Sequence, residues 1–231
     1  MTPRRLLCGL LSPGLGGHTH TAIALADELR ARGHHVDILV RADVAETPGC
    51  TDALIRAAGL PIVPIAGLYA GLGPWRFRRH LRRIVDQGRY DALHWFEFYD
   101  GVRDAALVAR ALGRAFVWTV TSGGVPVDYY GLHRVVVFTR EVADDAARRS
   151  AGTEVRVLPA RIDLRDSQLA AARAARAGIR AAMGVGDDDL LIVRVARCAS
   201  VYLRSVRLGI ALAQRLQGSG RRVCFLHAGY V

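Results

Sequence analysis

Short apolar runs alternate with stretches of helical periodicity along almost the whole chain, and this alternation is what most constrains its fold. Leu6–Leu11, Val36–Val40, Leu60–Ile65, Ala92–Phe98, Ala115–Val120, Arg134–Phe138 and Val155–Leu158 read as buried strands. Between them, His18–Arg32, Thr51–Ala58, a segment from Pro74 to about Gly88, Val102–Leu112 and Glu141–Ser150 read as helices. Ile23, Ala26 and Leu29 share one face of the first helix, Gly33 supplies its stop, and Pro74 suits a helix start. Strands that are apolar throughout are covered on both faces, and strand–helix–strand repetition means a parallel sheet. Right-handed crossovers then predict an α/β, Rossmann-like, doubly wound domain whose ligand crevice lies beyond the carboxyl ends of the strands.

After Val155–Leu158 the pattern pauses. Pro159–Asp166 reads as a linker and the Ala/Arg-rich stretch Leu169–Ala182 as a helix. The strand–helix pattern then restarts with Leu190–Ala196, Tyr202–Gln217 and Val223–Leu226. This predicts a first domain over residues 1–163 and the linker helix plus the start of a second over 164–231. Two strands and a helix cannot bury both faces of a sheet, so the second domain is expected to be an incomplete βαβ unit. Its apolar edge around Val223–Leu226 would invite a companion chain or self-association.

Composition narrows the class. Of 231 residues, 51% are hydrophobic and 23% charged, enough apolar material for a large core. No apolar run approaches the roughly 18 residues that span a membrane. Leu6–Leu11 follows two arginines, as in a secretion signal, but it ends at Ser12-Pro13, too soon for one. Cys8, Cys50, Cys198 and Cys224 are not spaced as metal ligands, and three of them sit in apolar, strand-like runs. A reduced, cytoplasmic setting without a metal is the expectation.

The net charge is +11, and the 32 basic residues counted as lysine or arginine are all arginine. Such a field attracts phosphorylated small molecules, anionic lipid or nucleic acid. No basic–aromatic motif points to nucleic acid, which is not an expected partner. Trp75–Val85 places Phe77, Leu81, Ile84 and Val85 on one face and crowds arginines on the other. That pattern suits a packed crossover helix with a solvated basic face; a peripheral contact with the anionic inner face of a membrane is the alternative.

The first strand runs into Ser12-Pro13-Gly14-Leu15-Gly16-Gly17-His18, directly before a helix. Glycines there allow close backbone approach, and a helix N-terminus offers free N–H groups to a phosphate; a plain tight turn is the competing reading. As a dinucleotide fingerprint the loop fails. Thr19 stands at the third glycine position, and Arg41 follows the second strand where an acid is needed. His18 and His94 are candidate crevice residues, with a plain structural role as the alternative for His94. His18-Thr19-His20 is not a metal site, since residues two apart on a helix diverge. His34-His35 read as a turn.

Several segments together carry a resemblance. Gly16-Gly17-His18, with Ala24-Leu25-Ala26-Asp27-Glu28-Leu29-Arg30-Ala31-Arg32-Gly33-His34-His35-Val36, resembles the opening of retaining glycosyltransferases of the GT-B fold, family 4. Tyr90-Asp91-Ala92-Leu93-His94 is similar to its fourth-strand segment. Phe138-Thr139-Arg140-Glu141 is similar to a later strand-to-helix step, and Val157-Leu158-Pro159-Ala160-Arg161-Ile162-Asp163 to the link between its halves. Val193-Arg194-Val195-Ala196-Arg197 resembles the first strand of its second half and a phosphate-binding arginine.

The resemblance implies transfer of a sugar from a nucleotide-sugar donor to an acceptor, with retention at the anomeric carbon and no cofactor. It places the acceptor on the N-terminal half and the donor on the C-terminal half. It implies donor-binding roles for Gly16, Gly17 and Arg197, with Arg204 in the place of a nearby lysine. The chain departs from the pattern at Thr119-Val120-Thr121, where the family often has a histidine, and at Ala160-Arg161. The family's donor-site helix with paired glutamates has no counterpart within these residues, so no catalytic residue is assigned. A truncated, split or degenerate transferase is the expectation, with low turnover by these residues alone. The alternatives are a non-catalytic Rossmann-like binding module and, disfavoured by the broken fingerprint, a nicotinamide-dependent oxidoreductase.

Overall fold

In the first part of the chain the strand–helix alternation becomes one twisted sheet. The computed structural model describes residues 2–11, 16–42, 51–66, 73–96, 101–120, 134–149, 152–158, 166–195, 203–218, 220 and 222–228. It divides into two compact units, residues 1–162 and 163–231. Of the residues singled out above, Gly14, Thr121, Arg197, Cys50, Cys198 and most of the linker lie outside the described set.

The strands of the first unit are β1 (Arg5–Leu10), β2 (His35–Arg41), β3 (Ile62–Ile65), β4 (Ala92–Trp95), β5 (Ala115–Thr119), β6 (Arg134–Val137) and β7 (Glu154–Val157). The helices are α1 (Gly17–Ala31), α2 (Thr51–Ala57), α3 (Gly73–Gly88), α4 (Val102–Ala111) and α5 (Arg140–Arg149). Every strand pair is parallel, and the order is β3-β2-β1-β4-β5-β6-β7. The chain winds outward one way from β1 through β2 to β3, then crosses to β4 and winds the other way. This is the expected Rossmann-like, doubly wound sheet, with its topological switch between β1 and β4.

The two faces bury different residues of the same strands, because successive side chains point to opposite sides. On one face Cys8, Leu10, Ile38 and Val40 pack with Phe96, with Ala22 and Ala26 of α1 and with Ile55 of α2. On the other, Leu7, Leu39, Leu93, Trp95, Phe116 and Trp118 pack with Phe77, Leu81 and Val85 of α3 and with Ala105 and Ala109 of α4. Gly9 belongs to this second packing in an unexpected way. It is the register partner of Trp95, and a Cβ on it would come within 2.5 Å of the indole ring. The small residue lets the largest side chain of β4 lie across β1.

Local signals act where they were read. Gly33 takes φ 84° after α1, and the His34 amide donates to the Leu29 carbonyl at 3.0 Å, closing the helix end. His35, expected with His34 in a turn, instead opens β2 and pairs with Arg5. Burial of the neighbouring Val36 against α1 and α2 extends the strand to it.

The second unit contains α6 (Asp166–Ala182), β8 (Leu190–Val195), α7 (Leu203–Gln217) and β9 (Val223–Ala228). α6 begins inside the stretch read as linker. One of its arginines is structural: Arg180 is buried and donates to the carbonyls of Gly186, Asp187 and Asp189 in the turn before β8. β8 and β9 form a parallel pair over six register positions. The apolar edge expected at Val223–Leu226 is not where exposure concentrates. Val223 is buried and Cys224, Phe225 and Leu226 are half-buried, because α7 packs on β9 with Gly209 against Phe225. Among the described residues of this unit the exposed large apolar side chains are Ile179, Met183, Leu190, Val193 and Val195, with Leu203, Leu208, Ile210 and Leu212 of α7.

Candidate functional site

β1 and β4 lie side by side at the switch point, and four of the predicted residues, Gly16, Gly17, His18 and His94, stand toward its carboxyl edge. β1 leads into α1, whose N-cap is Gly16 in extended backbone. The Thr19 amide donates to the Gly16 carbonyl at 3.0 Å and begins the helical ladder. Gly16 has no side chain with which to cap this end, and no acid occupies the first turn. The positive end of a 15-residue helix thus carries no carboxylate of its own.

The two glycines do different work. A Cβ on Gly16 would lie 2.8 Å from the His18 imidazole, so Gly16 is there to let the ring fold back over the helix start. Among the described residues nothing lies within 4 Å of a Cβ on Gly17, which is itself exposed. Thr19 at the third glycine position is wholly buried in the helix–sheet contact, and its hydroxyl has no hydrogen-bond partner among the described residues. A side chain at this position blocks the close helix–strand packing that a dinucleotide fingerprint needs.

His94 sits near the carboxyl end of β4, on the side chain face opposite Trp95. Its Nε2 lies 2.7 Å from the Thr119 hydroxyl on β5, and its ring stacks on Phe96 with centroids 4.2 Å apart and planes at 21°. The register explains the pair: His94 faces Val117, and Thr119 is two residues on, so both point to the same side of the sheet. Burial lowers the His94 pKa to about 3, leaving the imidazole neutral. A group so far below neutrality is a poor proton acceptor, so His94 holds Thr119 rather than acting as a base. Thr119 was read only as a landmark lacking its histidine; the partner comes instead from the adjacent strand.

In the second unit, Arg204 lies exposed in the first turn of α7, which also has no acid there. The sequence reading missed Arg194. Its guanidinium Nε donates to the Ser205 hydroxyl at 3.1 Å, and Nη1 lies 3.0 Å from the His227 ring. It joins β8, the start of α7 and β9, near the carboxyl ends of both strands. A single arginine inside the otherwise apolar run Leu190–Val195 gave no sequence signal for this role. Among the described residues no His, Cys, Asp and Glu cluster fit to hold a metal is found.

The family model described as Glycosyltransferase Family 4 matches residues 15–125, which contain Gly16, Gly17, His18, His94 and Thr119. Over 95 residues the chain is 38% identical to the UDP-N-acetylglucosamine–N-acetylmuramyl-(pentapeptide) pyrophosphoryl-undecaprenol N-acetylglucosamine transferase of Novosphingobium aromaticivorans. The match covers 39% of this chain and 22% of that protein. A glycosyltransferase of Rickettsia africae superposes with a TM-score of 0.73 at 14% identity, over 99% of this chain and 61% of that one. The UDP-GlcNAc 2-epimerase of Neisseria meningitidis, solved with UDP-GlcNAc bound, superposes with a TM-score of 0.63 at 11% identity. That superposition covers 96% of this chain and 64% of the epimerase. The chain therefore spans about three-fifths of the length of these structural neighbours. At such identities the likeness establishes the fold alone. Residues 15–125 match the Glycosyltransferase Family 4 model, and the fold is the GT-B, Rossmann-like one of these neighbours.

Proposed function

We propose that this protein takes part in transferring a sugar from a nucleotide-sugar donor to an acceptor, with retention at the anomeric carbon. The observation that carries the reading is the acid-free start of α1 at the β1/β4 switch point, where no described atom lies within 4 Å of a Cβ on Gly17. The positive end of a helix suits the diphosphate of such a donor. In the second unit Arg204 and Arg197 carry guanidinium groups of the kind that pair with phosphate. The first unit then serves the acceptor side and the second the donor side. In the reaction the bond from the anomeric carbon to the diphosphate oxygen breaks and a bond to an acceptor oxygen forms. The nucleoside diphosphate leaves with the electron pair, and the acceptor hydroxyl gives up its proton. The named residues bind and orient; none is assigned the proton.

The test is Gly17→Asp. A carboxylate at the first position of a helix favours the helix and repels an anion there. The variant should keep or raise the melting temperature while UDP binding, followed by calorimetry, weakens at least about tenfold. Undiminished UDP binding would remove α1 from the donor site. Product analysis with UDP-GlcNAc separates transfer from epimerisation, the reaction named for a neighbour of the same fold.

A further inference from the structure

Helix α3 carries a second surface that sugar transfer leaves unused. Phe77, Leu81 and Val85 are fully buried against the sheet, which fixes the opposite stripe of the helix toward solvent. On that side Trp75 is 54% exposed, and beside it on α4 Leu107 is 40% exposed. With Arg78, Arg79 and Arg82 these two large apolar groups line a shallow groove of about 410 Å³.

The arginines are unequally engaged. Arg78 is held 3.3 Å from the Asp104 carboxylate of α4, and Arg79 lies over the Trp75 ring at 5.5 Å. Arg82 and Arg83 have no acidic partner among the described residues. Exposed apolar groups beside Arg79, Arg82 and Arg83, with only Arg78 of the groove held by an acid, match a surface that is apolar inside and anionic at its face. An amphipathic tryptophan is at its best at such a boundary. Because α3 follows β3 in a parallel sheet, its amino end, with Trp75, lies toward the carboxyl edge where the crevice opens.

We propose that the α3–α4 groove docks on an anionic phospholipid bilayer. Trp75 and Leu107 enter the headgroup region, and Arg79, Arg82 and Arg83 meet lipid phosphates. Nucleic acid fits the surface less well, since it would satisfy the arginines and leave Trp75 and Leu107 in water. The inference stands on this surface alone and does not need the transferase reading.

Vesicle sedimentation of the full chain tests it. Binding should require phosphatidylglycerol in a phosphatidylcholine vesicle and weaken as salt rises. Tryptophan emission should shift to the blue, and the shift reports on Trp75 because Trp95 and Trp118 are already buried. Arg82→Gln with Arg83→Gln should weaken partitioning about fivefold per charge, and Trp75→Ala should abolish the shift. Arg173→Gln with Arg176→Gln removes the same charge from the exposed face of α6 and should leave binding intact. Four results overturn the proposal: equal binding to neutral vesicles, no vesicle binding, an equal loss from the α6 variant, or duplex DNA bound at the same salt and lost with the same α3 arginines.

Discussion

The Tyr90 hydroxyl donates a 2.6 Å hydrogen bond to the Asp37 carboxylate, joining the entrance of β4 to the first half of β2 across 53 residues of sequence. Arg5 of β1 donates to the same oxygen at 3.1 Å and lies 5.1 Å from the centre of the Tyr90 ring. The backbone amide of Arg5 also donates to the Asp91 carboxylate at 2.8 Å. Three strands are thereby latched toward their amino ends, away from the crevice. A charged acceptor shared by two donors stabilises more than a neutral pair.

Tyr90→Phe should therefore cost about 1.5–3 kcal/mol, read as a lower urea midpoint at unchanged slope. Burial, then the hydrogen bond to Asp37, raise the Tyr90 pKa well above its usual 10. Above pH 10 the unfolded chain releases this proton while the folded chain keeps it, so the stability from Tyr90 falls as pH climbs further. The Phe variant should lose that alkaline slope. An identical slope in both proteins would place its origin elsewhere.

His94 gives the opposite limb. Its folded pKa of about 3 lies below the ordinary 6.5, so below pH 6.5 the unfolded chain takes up a proton that the folded chain refuses. Stability should fall by up to about 1.4 kcal/mol per pH unit between these values. His94→Gln should flatten that part of the profile in denaturation curves taken from neutral to acid pH.

Two glycines should respond in opposite directions. Gly9→Ala drives a Cβ into the Trp95 indole, which is walled in by Phe77 and Phe116, and should cost at least about 1–3 kcal/mol. Gly17→Ala meets nothing within 4 Å and should be neutral or stabilise by up to about 1 kcal/mol. Melting temperatures of the two variants decide it; a harmless Gly9→Ala would mean that Trp95 can move aside.

The sequence alone determined the strands, the helices and the doubly wound class, because each rests on periodicity within one segment. The stop at Gly33 and the buried stripe Phe77, Leu81 and Val85 are local in this sense. So is the glycine loop before α1, which marked the candidate site. Its chemistry was only half legible. Nothing near Gly16 or Gly17 in sequence says that one accommodates an imidazole and the other faces open space. Nor could residue spacing pair His94 with Thr119, Arg194 with Ser205 and His227, or Tyr90 with Asp37. Those contacts join different strands and helices, and the register of parallel strands is set by crossovers tens of residues long. Only the folded sheet brings the partners within hydrogen-bonding range, and only there does burial shift the proton affinities of His94 and Tyr90.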